Sequence, residues 1–521
     1  MKITKLNFDD EYDNILKLIE RSQFISFDCE MSGINSSDDI HRHRRDDNAN
    51  ERYIKMKYVA SKYSLIQVGI CCFILDDNDQ KLKAHPYVFY LFPENSYDDI
   101  VMSVSSIDFL KKNNMDFQEW IKNGITFTDS NNEANWITKL GLDEKQKDTV
   151  EASNDNKVEL TELKDITFFE RNINNLKAMI DDPNKTEFTF DFCNAFVRKY
   201  IYQYMEANHP TISLVKTQDN KLQALKISHD EIITMKKKQL HKVLGFRNIW
   251  KSLSNKIIVG HNCFYDLLFM MKYFDGPLND DLDAFKQRFN SLFPYVFDTK
   301  FLSSTGILGT VYSDTVLGEL YNQLVTKNNG ANLVEFGDKF SNDSNDKQLH
   351  DAGYDAFITG SIFWALISEN KDLLDINNIL ETAKSACGNI IFNMNSLYHF
   401  DLDPIRSNGK CLKTNVFYLG GFTSSVRNND INGIFTNAET NTSEYTVSEI
   451  IWINNESTFL ALKGGSTTTT TEVVDISVLK SSIKLPDGWF FSTLEEFEAK
   501  KLIDKSKDED ILESPLKKQK V

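Results

Sequence analysis

Along the first third of the chain, short apolar runs alternate with longer stretches whose apolar residues recur at helical spacing. FISFDCE, YSLIQVGICCFIL and YVFYLF read as strands, so residues 1 to about 150 predict a mixed α/β layer. An acidic, Asn-rich stretch from Asp143 to Lys157 reads as a loop or boundary. From about 165 to 228 the pattern predicts a compact helix-and-strand unit, with FCNAFVRKYIYQYMEANHP followed by TISLVKTQ. A lysine-rich helix, EIITMKKKQLHKVLGFRNIWKSL, comes next, and α/β character returns from 257 to about 400. A further unit opens near Asn415 with strand candidates VFYLGGF, SEIIWI and STFLALK. GGSTTTTT and SNDSND read as low-complexity loop insertions, and the ending KDEDILESPLKKQKV as a charged, disordered tail.

In FISFDCEM the strand period places Ile25, Phe27 and Cys29 on one face and Ser26, Asp28 and Glu30 on the other. Two carboxylates on one face repel each other, and Met31, Ser32 and Gly33 bring no basic partner. Either the strand end turns into solvent, or a hard divalent cation such as Mg²⁺ or Mn²⁺ sits between the acids. Asp266 raises a similar question. It follows the strand IIVG and a turn at His261-Asn262, within the apolar segment FYDLLFM, where an acid is costly unless it is paired or faces water. Asp355 lies near the start of an apolar helix, with His350 five residues earlier. On a continuous helix those side chains would diverge by about 140°. They converge only if the helix begins between them, and Gly353 is the natural break.

Composition narrows the class. The chain has 521 residues, 41% hydrophobic and 26% charged, which predicts a soluble globular protein of two or three units. No run approaches the roughly 20 apolar residues needed to span a bilayer, so no membrane association is expected. The N-terminus turns acidic where a signal peptide has its apolar core. Seven cysteines without CxxC spacing argue for free thiols rather than a zinc site or disulfide framework. A net charge of −17 counts against coating nucleic acid through bulk charge and leaves local grip to basic patches and metal ions. Lys236, Lys237, Lys238, Lys242, Arg247 and Lys251 form either a phosphate track or a solvated helix face, and HRHRR at 41–45 is a loop open to the same two readings.

D-x-E on a first strand, H-N-x-x-x-D after a later one and H-x-x-x-x-D entering a helix resemble the DEDD 3′→5′ exonucleases. FDCEMSGI, ERYIKMKY, LIQVGICCF, SSIDFL, FVRKYIYQ, IVGHN, FPYVFDTKFL and LHDAGYDAFITG are similar, in order, to segments of the poly(A)-specific ribonucleases of the CAF-type branch. The likeness runs from Phe24 to Ile362. It implies an α/β, ribonuclease-H-like nuclease core at 1–164 and 246–405, a mixed sheet flanked by helices. An Arg-xxx-His-type nucleic-acid-binding domain of small α/β type would interrupt it at 165–245, an α+β RNA-recognition-motif-like domain would occupy 413–500, and a disordered tail 501–521. In the inserted domain Arg198 is present, but Tyr202 stands where the His would be.

The resemblance further implies that Asp28, Glu30, Asp266 and Asp355 hold two divalent cations, Mg²⁺ with Mn²⁺ as substitute, and that His350 is the general base. The implied reaction removes 5′-AMP stepwise from the 3′ end of single-stranded poly(A) RNA. Ile34, Ile107, Phe109 and Lys300 match positions lining the substrate groove, and Met31 stands where the family often has Phe. Trp452 matches a tryptophan that stacks on the mRNA 5′ cap, with a core Trp on a strand as the other reading. A homodimer resident in nucleus and cytoplasm is implied as well, and SPLKKQKV offers a short basic cluster for import. Two other functions remain open. One is a small-RNA 3′-trimming exonuclease, whose class usually lacks the C-terminal unit; the other is a catalytically inactive poly(A)- or cap-binding protein.

Overall fold

A computed structural model describes residues 1–36, 38–79, 81–94, 99–142, 158–217, 219, 221–226, 229–330, 333–337, 350–368, 375–406, 415–435, 445–464, 477, 479, 481 and 483–513. The Asp143–Lys157 boundary, the SNDSND insertion, nearly all of GGSTTTTT and the SPLKKQKV ending lie outside these residues.

The largest sheet is mixed. Its strands are β1 (Lys2–Ile3), β2 (Phe24–Met31), β3 (Leu65–Leu75), β4 (Leu82–Tyr90), β8 (Ile257–Gly260), β9 (Tyr295–Asp298) and β10 (Glu335–Phe336). They lie in the order β1-β4-β3-β2-β8-β9, with β10 also paired to β4. β3 is antiparallel to both β2 and β4, whereas β2, β8 and β9 run parallel. β2 is therefore a central strand, and both of its faces are covered. Ile25, Phe27 and Cys29 join one apolar core with Phe264 and Leu267; Phe24 joins the other with Phe73, Phe357 and Phe363. The period-2 alternation holds, but the face bearing Ser26 and Asp28 lies under the helix Ala352–Ser368 instead of turning to solvent.

Two glycines allow that helix to sit so close. A Cβ at Gly69 would lie 1.8 Å from the Ala352 carbonyl oxygen, and one at Gly360 would lie 2.1 Å from the Phe73 ring. Ser26 Oγ then donates to the Ala356 carbonyl, 2.5 Å away, tying β2 to the helix.

Between the two stretches of chain that build this sheet, β5 (Glu187–Thr189), β6 (Ile212–Lys216) and β7 (Leu222–Lys226) form a separate sheet in the order β5-β7-β6. With helices Leu163–Asp181 and Ala195–Asn208 it encloses its own core of Ile173, Leu176, Phe190, Val197, Ile201 and Ala224. The basic helix His229–Leu244 is not part of that core. It contacts the helix Ser130–Leu140, and its His241 stands edge-on to Tyr12 at 4.6 Å. A short pair, β11 (Ile390–Ile391) and β12 (Phe400–Asp401), closes the second stretch.

The C-terminal unit is a four-stranded antiparallel sheet: β13 (Val416–Gly420), β14 (Tyr445–Asn454), β15 (Ser457–Gly464) and β16 (Phe490–Thr493), in the order β14-β15-β13-β16. A helix Asn428–Ile434 follows β13, and residues 477, 479 and 481 are helical before β16. The expected disordered tail is corrected in part, because the helix Leu494–Glu513 carries the chain through 501–513. Its Phe497 and Leu494 have apolar surface to bury, and Lys501 pairs with Glu51 at 2.8 Å and Asp46 at 3.4 Å. Among the described residues no helix is long and apolar enough to cross a membrane, and Cys29, Cys71, Cys72, Cys193, Cys263 and Cys387 are buried free thiols.

Candidate active site at the carboxyl ends of the parallel strands

Open α/β sheets bind ligands beyond the carboxyl ends of their parallel strands, where loops diverge. Here β2 brings Asp28 and Glu30 to that end, and β8 runs into His261-Asn262, with Asn262 at φ 53°. Asn tolerates this left-handed turn, which lets the helix Phe264–Met270 start immediately and present Asp266. The Cys29 backbone and thiol lie against the Asp266 carboxylate and partly oppose the upward push of burial on its pKa. Asp355 arrives from the first turn of Ala352–Ser368.

The break between His350 and Asp355 falls earlier than Gly353. His350 itself is in the left-handed region, at φ 70°, and Gly353 is already helical. Asp351 starts the helix by accepting from the Gly353 and Tyr354 N–H groups at 3.1 and 3.2 Å. The His350 N–H donates to Asp355 Oδ2 at 3.0 Å. A side-chain-bearing residue held there costs about 1 kcal/mol or more, and the reversal of the backbone at His350 leaves its imidazole beside the acids. Donor atoms of Glu30, His350 and Asp355 lie within 4.8 Å of one another.

The four acids form one electrostatic unit. Asp28 and Glu30 are pushed far above the ordinary carboxylate range, first by burial and then by Asp355 and Asp266. Burial is the main cause for Asp266 and Asp355 too, each pushed up to about 7. Among the described residues no basic side chain offsets the burial of any of the four, and Asp355 Oδ1 is buried with no hydrogen-bond partner. Buried like charges persist only when a counter-charge balances them. An all-oxygen donor set with one imidazole suits hard divalent cations of the Mg²⁺ or Mn²⁺ type. The residues therefore fit such ions.

The CAF1 family ribonuclease pattern matches residues 3–363, spanning every one of these groups. The chain belongs to the CAF1 family of ribonucleases. It is 27% identical over 495 residues to the poly(A)-specific ribonuclease PARN of Homo sapiens, covering 89% of this chain and 76% of that one. The Xenopus laevis protein of the same name is 26% identical over 495 residues, with 89% and 77% covered. The pre-piRNA 3′-exonuclease trimmer of Bombyx mori is 30% identical over 387 residues, with 70% of each chain covered.

The remaining positions singled out in this CAF1 chain divide. Phe109 is exposed and meets the His350 ring edge-on at 4.7 Å, at the mouth of the pocket. Ile107 is nearby on the same helix, Val104–Lys112, and Ile34 is exposed on the chain leaving β2. Lys300 follows β9 and donates to the Thr315 carbonyl at 3.1 Å; burial lowers its pKa. Met31 is different. It is buried in the core with Ile25 and Phe27 and offers little surface to a substrate. Two members of the basic stripe are also spent, since Arg247 and Lys251 both pair with Glu133, at 2.5 and 2.6 Å.

Asp298 was not singled out by the sequence, although it lies in the quoted segment FPYVFDTKFL. Fully buried, its carboxylate accepts from the N–H groups of Asn262 (2.9 Å), Cys263 (3.3 Å), Lys300 (2.9 Å), Phe301 (3.3 Å) and Phe392 (3.0 Å). It thereby locks the turn that aims Asp266 to the turn that carries Lys300. An acid at the end of a four-residue strand followed by Thr was the available signal, since such a residue caps a helix.

The C-terminal sheet uses its outer face internally. Phe459 is buried and meets the Phe497 ring edge-on at 5.1 Å, Tyr418 stacks on Phe497 at 4.7 Å, and Leu397 and Tyr398 of the nuclease core complete the cluster. Trp452 lies on the edge strand β14, half-exposed. Its indole N–H donates to Asn428 Oδ1 at 2.8 Å, and Phe422 packs edge-on at 5.6 Å. In the inserted unit Arg198 and Tyr202 lie one turn apart on Ala195–Asn208, with Tyr202 exposed.

Proposed function

We propose that this protein is a poly(A)-specific 3′→5′ exoribonuclease, an mRNA deadenylase that releases 5′-AMP by divalent-metal-dependent hydrolysis. The convergence of Asp28, Glu30, Asp266 and Asp355 without a basic partner among the described residues carries the reading, because such a site suits cations and phosphate chemistry. Asp28, Glu30, Asp266 and Asp355 would hold the ions. Once bound, a pair of such cations supplies Lewis-acid stabilisation to the attacking and leaving oxygens of an in-line displacement.

The chain's own residues do the rest. Partial burial lowers the His350 pKa, so its ring is neutral at physiological pH and able to take the proton of the attacking water. The His350 N–H holds Asp355 Oδ2 and so fixes the distance between base and acids. Phe109 packs on that imidazole and limits its rotation, while presenting an exposed face on which a terminal base can stack. Lys300, whose ammonium donates to the Thr315 carbonyl, would offer a positive charge to a phosphate.

Trimming of small RNAs is the second reading, supported by the 30% identity to the silkworm trimmer. Its alignment covers 70% of this chain, however, while those of the two vertebrate relatives cover 89% and so reach into the C-terminal unit. Under the deadenylase reading, the inserted unit is a nucleic-acid-binding domain, the last sheet an RNA-recognition-motif-like domain and Trp452 the cap contact. The same reading makes the protein a homodimer of nucleus and cytoplasm, which sedimentation and fluorescent tagging check. The decisive experiment is a time course on a 3′-A-tailed RNA and a mixed-sequence RNA of equal length, each with Mg²⁺ and with EDTA. Faster digestion of the A-tail, only with Mg²⁺, is expected; equal rates would favour trimming, and binding without shortening would favour an inactive binder.

A further inference from the structure

The loop 41–45, HRHRR, walls two neighbouring clefts. The first, about 550 Å³, begins at Ile34, just past Asp28 and Glu30, and at Tyr265, beside Asp266, and is rimmed by Arg42, Arg44 and Arg45. Its size suits one or two nucleotide units. The second, about 500 Å³, runs from the same arginines to Trp452, Asn454 and Asn455 on the C-terminal sheet. The loop is fixed at both ends. His41 stacks flat on Tyr58 with centroids 3.6 Å apart, and Arg45 donates to the Trp452 carbonyl at 3.0 Å.

The positive charge of this passage belongs to its arginines. Burial and the neighbouring Arg52 push the His43 pKa down to about 4, so that ring is neutral, and it meets the Tyr265 hydroxyl at 3.1 Å. Arg52 and Lys55 are balanced by buried Asp47, at 3.4 and 2.6 Å. Among the described residues Arg44 has only a long contact of 3.7 Å to Asp46, which Lys501 shares at 3.4 Å. Neither Arg42 nor Arg45 is paired with a carboxylate among the described residues. In a chain of net charge −17, such a concentration beside an acidic pocket calls for an anionic ligand. Guanidinium forks match phosphate geometry, and the two clefts share the arginine loop and continue one into the other as far as Trp452, which suits a polymer.

We propose that the clefts walled by Arg42, Arg44 and Arg45 carry the phosphate backbone of single-stranded RNA upstream of the 3′ end, from the carboxylate pocket to the C-terminal sheet. This rests on the nuclease reading above and adds where the rest of the RNA lies.

The test compares the full-length protein with the variant Arg42→Ala/Arg44→Ala/Arg45→Ala, using fluorescent, uncapped oligo(A) of about 3 and about 15 nucleotides. Binding is read in EDTA, and hydrolysis in Mg²⁺. For the long oligomer the variant should bind about tenfold more weakly, with a salt dependence shallower by about 0.7 for each phosphate that the arginines no longer neutralise. The short oligomer should bind and turn over as in the parent, and Arg→Lys at the three positions should recover most of the long-oligomer affinity. An unchanged affinity or salt slope for the long oligomer, or equal losses at both lengths, would overturn the proposal. If even the parent fails to cut the short oligomer, the nuclease reading falls, while the binding data still decide the passage.

Discussion

The carboxylate pocket and the outer face of the C-terminal sheet start alike and end differently. In each, a strand carries side chains that could meet RNA: Asp28 and Glu30 on β2, Tyr418 and Phe459 on β13 and β15. On the sheet the aromatics are satisfied within the protein, by Phe497 and Leu494 of the last helix and by Leu397 and Tyr398. In the pocket no basic side chain among the described residues answers the acids, and among the same residues Asp355 Oδ1 has no partner. The comparison teaches where to look for chemistry. A group whose local requirement is met elsewhere in the fold is structural, and one left in deficit at a concave site is functional.

Substitutions should therefore affect the two regions differently. In the pocket, Asp28→Ala or Asp355→Ala should lower the hydrolysis rate by at least about 10³-fold, the loss typical of removing a preorganised charge from a reacting centre. Thermal unfolding without metal should leave Tm unchanged or raised, since each variant removes one repelling carboxylate; retained activity would break the cation assignment. Metal sharpens the same contrast: at a concentration about 100 times its Kd, Mg²⁺ should stabilise the parent by about 2.7 kcal/mol and the Asp28→Ala variant by much less. On the sheet, Phe459→Ala should cost about 3–5 kcal/mol of stability, read by denaturant unfolding, while the folded fraction turns over a short oligo(A) at the parent's rate. A selective loss of turnover would mean that the face touches RNA after all. Asp298→Ala joins the two behaviours. It should destabilise by about 1–3 kcal/mol, because it orphans buried N–H groups, and also lower kcat by misaiming Asp266; an unchanged kcat at full folding would remove it from the positioning role.

The acids were legible because their spacing survives in one dimension. Asp28, Glu30, Asp266 and Asp355 each follow or interrupt an apolar run, and the structure gathers all four. The strand face of β2 was legible too, but not that a helix would cover it, since that depends on Gly69 and Gly360 lying opposite Ala352 and Phe73. Legibility failed where a residue's role is set by its neighbours in space. Met31 stood at a substrate position and is buried; Arg247 and Lys251, open to a phosphate track or a solvated helix face, are held by Glu133. Gly353 looked like the helix break, yet His350 carries the positive φ itself. Asp298 showed in its letters only as a helix cap, because the Asn262 and Phe392 N–H groups it also holds come from loops 36 and 94 residues away.

By itself the sequence determined the inventory: an alternating α/β core, a small unit within it, a β-rich unit after it, and four acids with one histidine in a chain order that resembles a nuclease. Hydrophobic period and residue type are local properties, and they suffice for that. Only the tertiary structure decided which groups are in deficit. Burial, pairing and pKa depend on what packs against a side chain from hundreds of residues away, as Ala356 does on Ser26 and Lys501 on Glu51.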